Sequence, residues 1–269
     1  MSKEEVDWRE FNVHNEHTNK TQNDNNDEEE EVQQPVDIFA PKEEDVYITK
    51  DYNFTESNTS IKLREQADYD KSTGVAVWRG AEILCKYILQ HPNKIKAKRI
   101  IELGSGVGLC GIVSAKILNA SSVLLTDGDQ VVLRNLRYNI ELNELEDKAK
   151  CCQLIWGKER AIEFEKEYGK QDIILASDCV YMTASVRPLF ETVSQLLSHD
   201  AGVFLVANTC ASQSTLDVID VGKEFGFVAS RGELWYHENE EVEQFKKDPV
   251  YVFRRRSSLE VTDTVEVFG

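Results

Sequence analysis

Residues 99–111 read RIIELGSGVGLCG. An apolar run with β-branched residues meets three glycines at alternate positions, Gly104, Gly106 and Gly108, and a second apolar run follows at once. A buried strand that turns sharply into a helix fits this pattern, because glycine takes the backbone angles of such a turn and lets a ligand approach the main chain closely. Dinucleotide sites use G-x-G-x-x-G, with the pyrophosphate on the helix N-terminus. Here the third glycine comes one position early, and Leu109 stands where that pattern has glycine. Glu102 precedes the turn and is expected to set a carboxylate beside the place of a pyrophosphate, disfavouring an anion and suiting a cation.

The rest of the chain alternates. DVYIT and TSIKLREQ read as short strands, and GVAVWRGAEILCKYILQHP as a helix ending at Pro92. After the strand that feeds the glycine turn come the helix LCGIVSAKIL, the strand SSVLLTD, the helix GDQVVLRNLRYNIELN and the strands KCCQLIW and DIILASD. Then follow the helix ASVRPLFETVSQLLSH, the strand GVFLVANT and a helix closed by Gly226. FVASRGELWYH and PVYVFRRR, with a highly charged connection between them, read as an antiparallel pair that closes the sheet. Such alternation predicts a doubly wound, mostly parallel α/β sheet with a C-terminal antiparallel hairpin, and ligands of these sheets bind at the carboxyl ends of strands near the switch point.

Net charge is −17, but the acid is uneven. Residues 1–45 hold fifteen acidic and four basic side chains and almost no apolar periodicity. They are expected to be a disordered acidic tail, leaving 46–269 as the folded domain. The sequence has no long apolar run and no signal-peptide pattern, so no membrane association is expected, and the expected location is cytoplasmic with the nucleus second. The six cysteines sit in apolar stretches without metal-ligand spacing, and no metal site is expected. Acidity without interleaved basic and aromatic residues argues against nucleic acid as a partner.

Asp127 ends the strand after the glycine turn, where a carboxylate takes ribose hydroxyls as donors; Asp129 is expected to cap the next helix. TGVAVWRGAEIL, ELGSGVGLCGI, LLTD, LIWG and ASDCVY occur in this order with helix-and-strand spacing. Together they resemble the seven-strand class I methyltransferases, and more narrowly the methyltransferase-like (family 16) protein-lysine methyltransferases. Members of that group modify calmodulin, valosin-containing protein, heat-shock chaperones and translation elongation factors. The resemblance covers about residues 60 to 255. Arg79, where relatives often carry aspartate, and Ser177, where alanine is usual, depart from it.

The resemblance implies S-adenosylmethionine as cofactor and a lysine-bearing protein as substrate, with a monomer expected. Trp78 would line the cofactor site, Gly104, Ser105 and Gly106 would surround its amino-acid part, and Asp127 would hold the ribose. Trp156 would pack beside the adenine, and Ser177 would offer its backbone. Asp178-Cys179-Val180-Tyr181 resembles the acidic-x-x-aromatic motif of the group. There Asp178 would hold the lysine amine or steady its charge, and Tyr181 would face the alkylammonium chain. Cys179 is expected to be a packed neighbour rather than a nucleophile. A nicotinamide-dependent oxidoreductase, a catalytically silent interaction module, and methylation of a small molecule, an arginine or a histidine are the rival readings. The glycine spacing with Glu102 opposes the first, and the intact Asp127, Trp156 and Asp178-x-x-Tyr181 set opposes the second.

Overall fold

The computed structural model describes residues 46–54, 57–66, 73–199, 201–209, 213–234 and 249–256; the acidic segment 1–45 lies outside them. Strand β3 (Arg99–Leu103) starts the central sheet, followed by helix α3 (Leu109–Lys116), β4 (Ser122–Asp127), α4 (Gln130–Leu142) and β5 (Ala149–Gln153). Helix α5 (Lys158–Tyr168) leads to β6 (Ile173–Ser177), α6 (Thr183–Leu196), β7 (Val203–Ala207), α7 (Gln213–Glu224), β8 (Phe227–Arg231) and β9 (Val250–Arg255). Before them lie a hairpin of β1 (Tyr47–Phe54) and β2 (Thr59–Gln66), helix α1 (Arg79–Gln90) and the short α2 (Pro92–Ile95).

The seven-stranded sheet has the order β5-β4-β3-β6-β7-β9-β8. Its central strands β3, β4, β6 and β7 are buried on both faces because helices cover both, as parallel sheets require. In β3 the period of two is plain: Ile100 belongs to one core, Ile101 and Leu103 to the other. The first core lies under α1, α3 and α4, the second under α5 and α6. The expected antiparallel pair is present, but β9 pairs antiparallel with both β7 and β8 and so inserts between them. The order reverses between β3 and β6, which fixes the switch point at the glycine turn.

Two local features were not read from the sequence. Helix α5 was not anticipated: its sequence KERAIEFEKEY is charged, and only Ala161 and Phe164 are buried. The arginines of RRR do not form one patch. Arg254 and Arg256 are exposed, whereas Arg255 turns to the other face, donates to the Ser194 carbonyl and lies over the Phe227 ring. Among the described residues no helix is long and apolar enough to cross a membrane.

The β1–β2 hairpin forms its own sheet, and its β2 edge is completed by side chains rather than by a strand. Asn135, Asn139 and Asn143, spaced four apart along α4 and its C-cap, point at that edge. Asn143 Oδ1 accepts from Lys62 N at 3.2 Å, and its Nδ2 donates to Lys62 O at 2.7 Å. Asn139 Oδ1 accepts from Arg64 N at 2.7 Å; its Nδ2 donates to Arg64 O and, at 3.0 Å, to Val107 O in the glycine turn. Asn139 is fully buried, so Asn139→Ala leaves the Arg64 amide and the Val107 carbonyl without this partner. A loss of about 2–3 kcal/mol is expected in urea unfolding; an unchanged midpoint would remove the ladder from the stability of the fold.

Candidate functional site

A cavity of about 560 Å³ opens at the carboxyl ends of the central strands, within the range typical of small-molecule sites. All nine residues named from the sequence line it: Trp78, Gly104, Ser105, Gly106, Asp127, Trp156, Ser177, Asp178 and Tyr181. They come from five separate stretches of chain, brought together by the crossing of β3, β4 and β6 at the switch point.

The glycine turn forms the floor. Gly104, Gly106 and Gly108 have φ of +63°, +53° and +91°, a region that side chains with a Cβ seldom adopt. Space is also short: a Cβ on Gly106 would lie 3.2 Å from the Gly74 carbonyl oxygen. Ser105 serves as a clamp. Its backbone N–H donates to Thr126 O at 2.8 Å, its hydroxyl donates to Glu102 O at 3.0 Å and accepts from Thr126 N at 2.9 Å, so β3 and β4 stay joined where their ladder ends.

Glu102 corrects its expected role. It does not line the cavity; it is 1% exposed beneath the turn, and its Oε2 accepts from Gly111 N at 2.9 Å. It therefore opposes a phosphate by occupying an N-terminal amide of α3, not by facing the ligand. Burial pushes its carboxyl up to about 7, more than the Gly111 hydrogen bond lowers it. The folded chain thus holds a proton that the unfolded chain releases near pH 4.5. Stability contributed by this group is present below that pH and is lost as pH rises through about 7. Wild type is expected to lose on the order of 3 kcal/mol more than Glu102→Gln between pH 5 and pH 8 in urea titrations; parallel pH profiles would contradict this assignment.

Asp127 ends β4 with both carboxylate oxygens tied to the turn: Oδ2 accepts from Gly106 N at 3.2 Å and Oδ1 from Asp129 N at 3.1 Å. Each oxygen retains a lone pair, and the residue faces the cavity. Burial raises its carboxyl above the ordinary value. Asp129 caps α4 as expected, accepting from Val131 N at 2.8 Å. Trp156 packs over the turn, its ring edge 3.3 Å from where a Gly104 Cβ would stand. Its neighbour Ile155, which sequence reasoning missed, is 56% exposed and lies over Gly128 between the two aspartates. An apolar side chain just past a strand end was the available signal.

Residues 73–78 make the facing wall. The Trp78 indole N–H donates to Thr73 O at 2.6 Å, and the ring is 48% exposed at the mouth. Tyr181 and Met182, each 56% exposed, stand at the mouth too. Asp178 joins three elements at the end of β6. Its φ is +44°, Oδ2 accepts from Gly80 N at 2.6 Å, and Oδ1 accepts from Thr209 N at 2.6 Å and from the Thr209 hydroxyl at 3.0 Å. A Cβ on Gly80 would lie 2.6 Å from that carboxyl carbon, so glycine is what permits the approach. A non-glycine residue in the left-handed region marks strain held by its surroundings, and such strain gathers at functional sites. Thr209 could not be singled out from the sequence, because it acts through its backbone as much as its hydroxyl. Cys179 is packed under Gly104, and burial pushes its thiol up, which disfavours a nucleophilic thiolate. Among the described residues no group of three or more His, Cys, Asp or Glu side chains is arranged to hold a metal.

The chain is similar to known proteins in sequence and in fold. The chain is 30% identical over 155 residues to a calmodulin-lysine N-methyltransferase of Arabidopsis thaliana, covering 56% of this chain and 50% of that protein. It is 36% identical over 157 residues to the protein N-lysine methyltransferase METTL21A of Danio rerio, covering 56% and 68%. The match thus spans about half the length of the Arabidopsis relative. Among solved structures, the precorrin-8w decarboxylase of Methanobacterium thermoautotrophicum superposes with a TM-score of 0.50 at 13% identity, covering 68% of this chain and 95% of that one, a likeness of fold alone. Residues 56–219 match the lysine methyltransferase family, and the chain belongs to it.

Proposed function

We propose that this protein transfers a methyl group from S-adenosylmethionine to the side-chain amine of a lysine in a protein substrate. The convergence of all nine candidate residues on one cavity at the switch point carries the reading. The residues fit the cofactor. The glycine turn gives a cradle that a Cβ would fill, Asp127 offers acceptors for ribose hydroxyls, and α3 presents Gly111 N–H already occupied by a carboxylate, which disfavours a dinucleotide phosphate. Gly104, Ser105 and Gly106 would hold the amino-acid part, Trp78 would line the site, and Trp156 with Ile155 would cover the adenine side. Ser177 would offer its backbone at the end of β6.

The cofactor supplies an electrophilic methyl group on a sulfonium. The protein's part is to align a neutral amine with it, and such positioning accounts for most of the rate in an in-line displacement. Tyr181 and Trp78 offer aromatic faces to the alkyl chain at the mouth. Asp178 sets a negative charge beside the amine, on a carboxylate immobilised by Gly80 and Thr209. The mouth is open, so solvent takes the proton. Tritiated S-adenosylmethionine incubated with the protein and a lysate tests the acceptor. After acid hydrolysis the label is expected in methyl-lysines; label only in methylarginine, methylhistidine or small molecules would sink the lysine assignment.

A further inference from the structure

The cavity wall at residues 73–78 is tied to the hairpin through one carboxylate. Glu65 on β2 is 1% exposed, yet its carboxyl group has three hydrogen-bond partners. Its Oε1 accepts from the Tyr52 hydroxyl at 2.7 Å; its Oε2 accepts from Lys50 Nζ at 3.2 Å and from Val77 N at 3.1 Å. Val77 immediately precedes Trp78, and the Trp78 indole holds Thr73 O. Gly74, within the same turn, lies against Gly106 in the glycine turn. A hydrogen-bonded path therefore runs from the hairpin through Glu65 and Val77 to the wall that faces the glycine turn.

A buried carboxylate costs desolvation, and stability alone would be served as well by an apolar side chain. What Glu65 supplies is direction: an acceptor fixed by Tyr52 and Lys50 from one side and aimed at one backbone amide on the other. We infer that Glu65 is a positioning residue that sets the 73–78 wall, and with it Trp78, against the glycine turn, so that the hairpin is part of the binding machinery. This rests on the proposed cofactor site. It predicts that the wall loosens when Glu65 is lost, and that ligand affinity falls with it.

Hydrogen exchange on the ligand-free full chain, with S-adenosylmethionine binding measured by calorimetry, tests this. In Glu65→Ala, residues 73–80 are expected to exchange about tenfold faster or more, with binding about tenfold weaker. Glu65→Gln, which keeps an acceptor for Val77 N–H, is expected to lie nearer wild type. Phe227→Leu, in the second core and away from the hairpin, is the control for general destabilisation: it is expected to lower Tm but leave exchange at 73–80 and affinity unchanged. Tyr52→Phe removes one orienting donor and should speed exchange at 73–80 by a few-fold, which keeps the test open if Glu65→Ala does not fold. Unchanged exchange in both Glu65→Ala and Tyr52→Phe, or an equal effect in Phe227→Leu, overturns the inference. If wild type itself binds no S-adenosylmethionine, the cofactor reading fails, while the exchange comparison still decides the role of Glu65.

Discussion

Asp127→Ala is expected to weaken S-adenosylmethionine binding about ten- to hundredfold, as read by calorimetry. A hydrogen bond to a charged acceptor is worth about 1.5–3 kcal/mol, and each 1.4 kcal/mol is about tenfold in affinity. The carboxylate also fixes the turn itself, because it accepts from Gly106 N and Asp129 N. Asp127→Asn separates the two parts. The amide keeps an acceptor for the Gly106 N–H but loses the charge, so its melting temperature should stay nearer wild type while affinity still falls. If both variants bound the cofactor as wild type does, Asp127 would have no place in the site.

The second large effect is expected at Asp178. Asp178→Ala should lower methyl transfer at least about a hundredfold, from loss of the negative charge at the amine and misplacement of the wall it holds. The carboxylate receives Gly80 N–H, Thr209 N–H and the Thr209 hydroxyl, so alanine strands two backbone donors at once. Asp178→Asn keeps the shape and one acceptor, at the cost of a donor set against Gly80 N–H or Thr209 N–H. If the charge steadies the amine, this variant should bind S-adenosylmethionine within about threefold of wild type yet lose nearly as much kcat as alanine. Full activity in Asp178→Asn would reduce Asp178 to a brace between β6, α1 and Thr209.

The sheet was legible because strands such as β3 and β6 are buried on both faces and read as continuous apolar runs, and because Gly104, Gly106 and Gly108 mark the sharp turn after β3. The candidate site residues were legible as a group for a related reason: each stands near the end of a strand or the start of a helix, around one cavity. What stayed hidden depends on partners remote in sequence. The insertion of β9 between β7 and β8 leaves no local mark in PVYVFRRR. Asn135, Asn139 and Asn143 look like a solvated helix face until β2 is set beside them. Helix α5 buries only Ala161 and Phe164, too thin an apolar stripe to outweigh its charges. Glu102 was placed at the right turn but on the wrong side of it, because sequence position does not say which way the carboxylate points. Thr209 and Gly74 act through backbone atoms, to which side-chain identity is a poor guide.

The most direct test of the central claim is calorimetric titration of the ligand-free protein with S-adenosylmethionine and NAD in parallel. One saturable site for S-adenosylmethionine and no measurable heat with NAD is the predicted result. Tight NAD binding, or no binding of S-adenosylmethionine, would contradict the account.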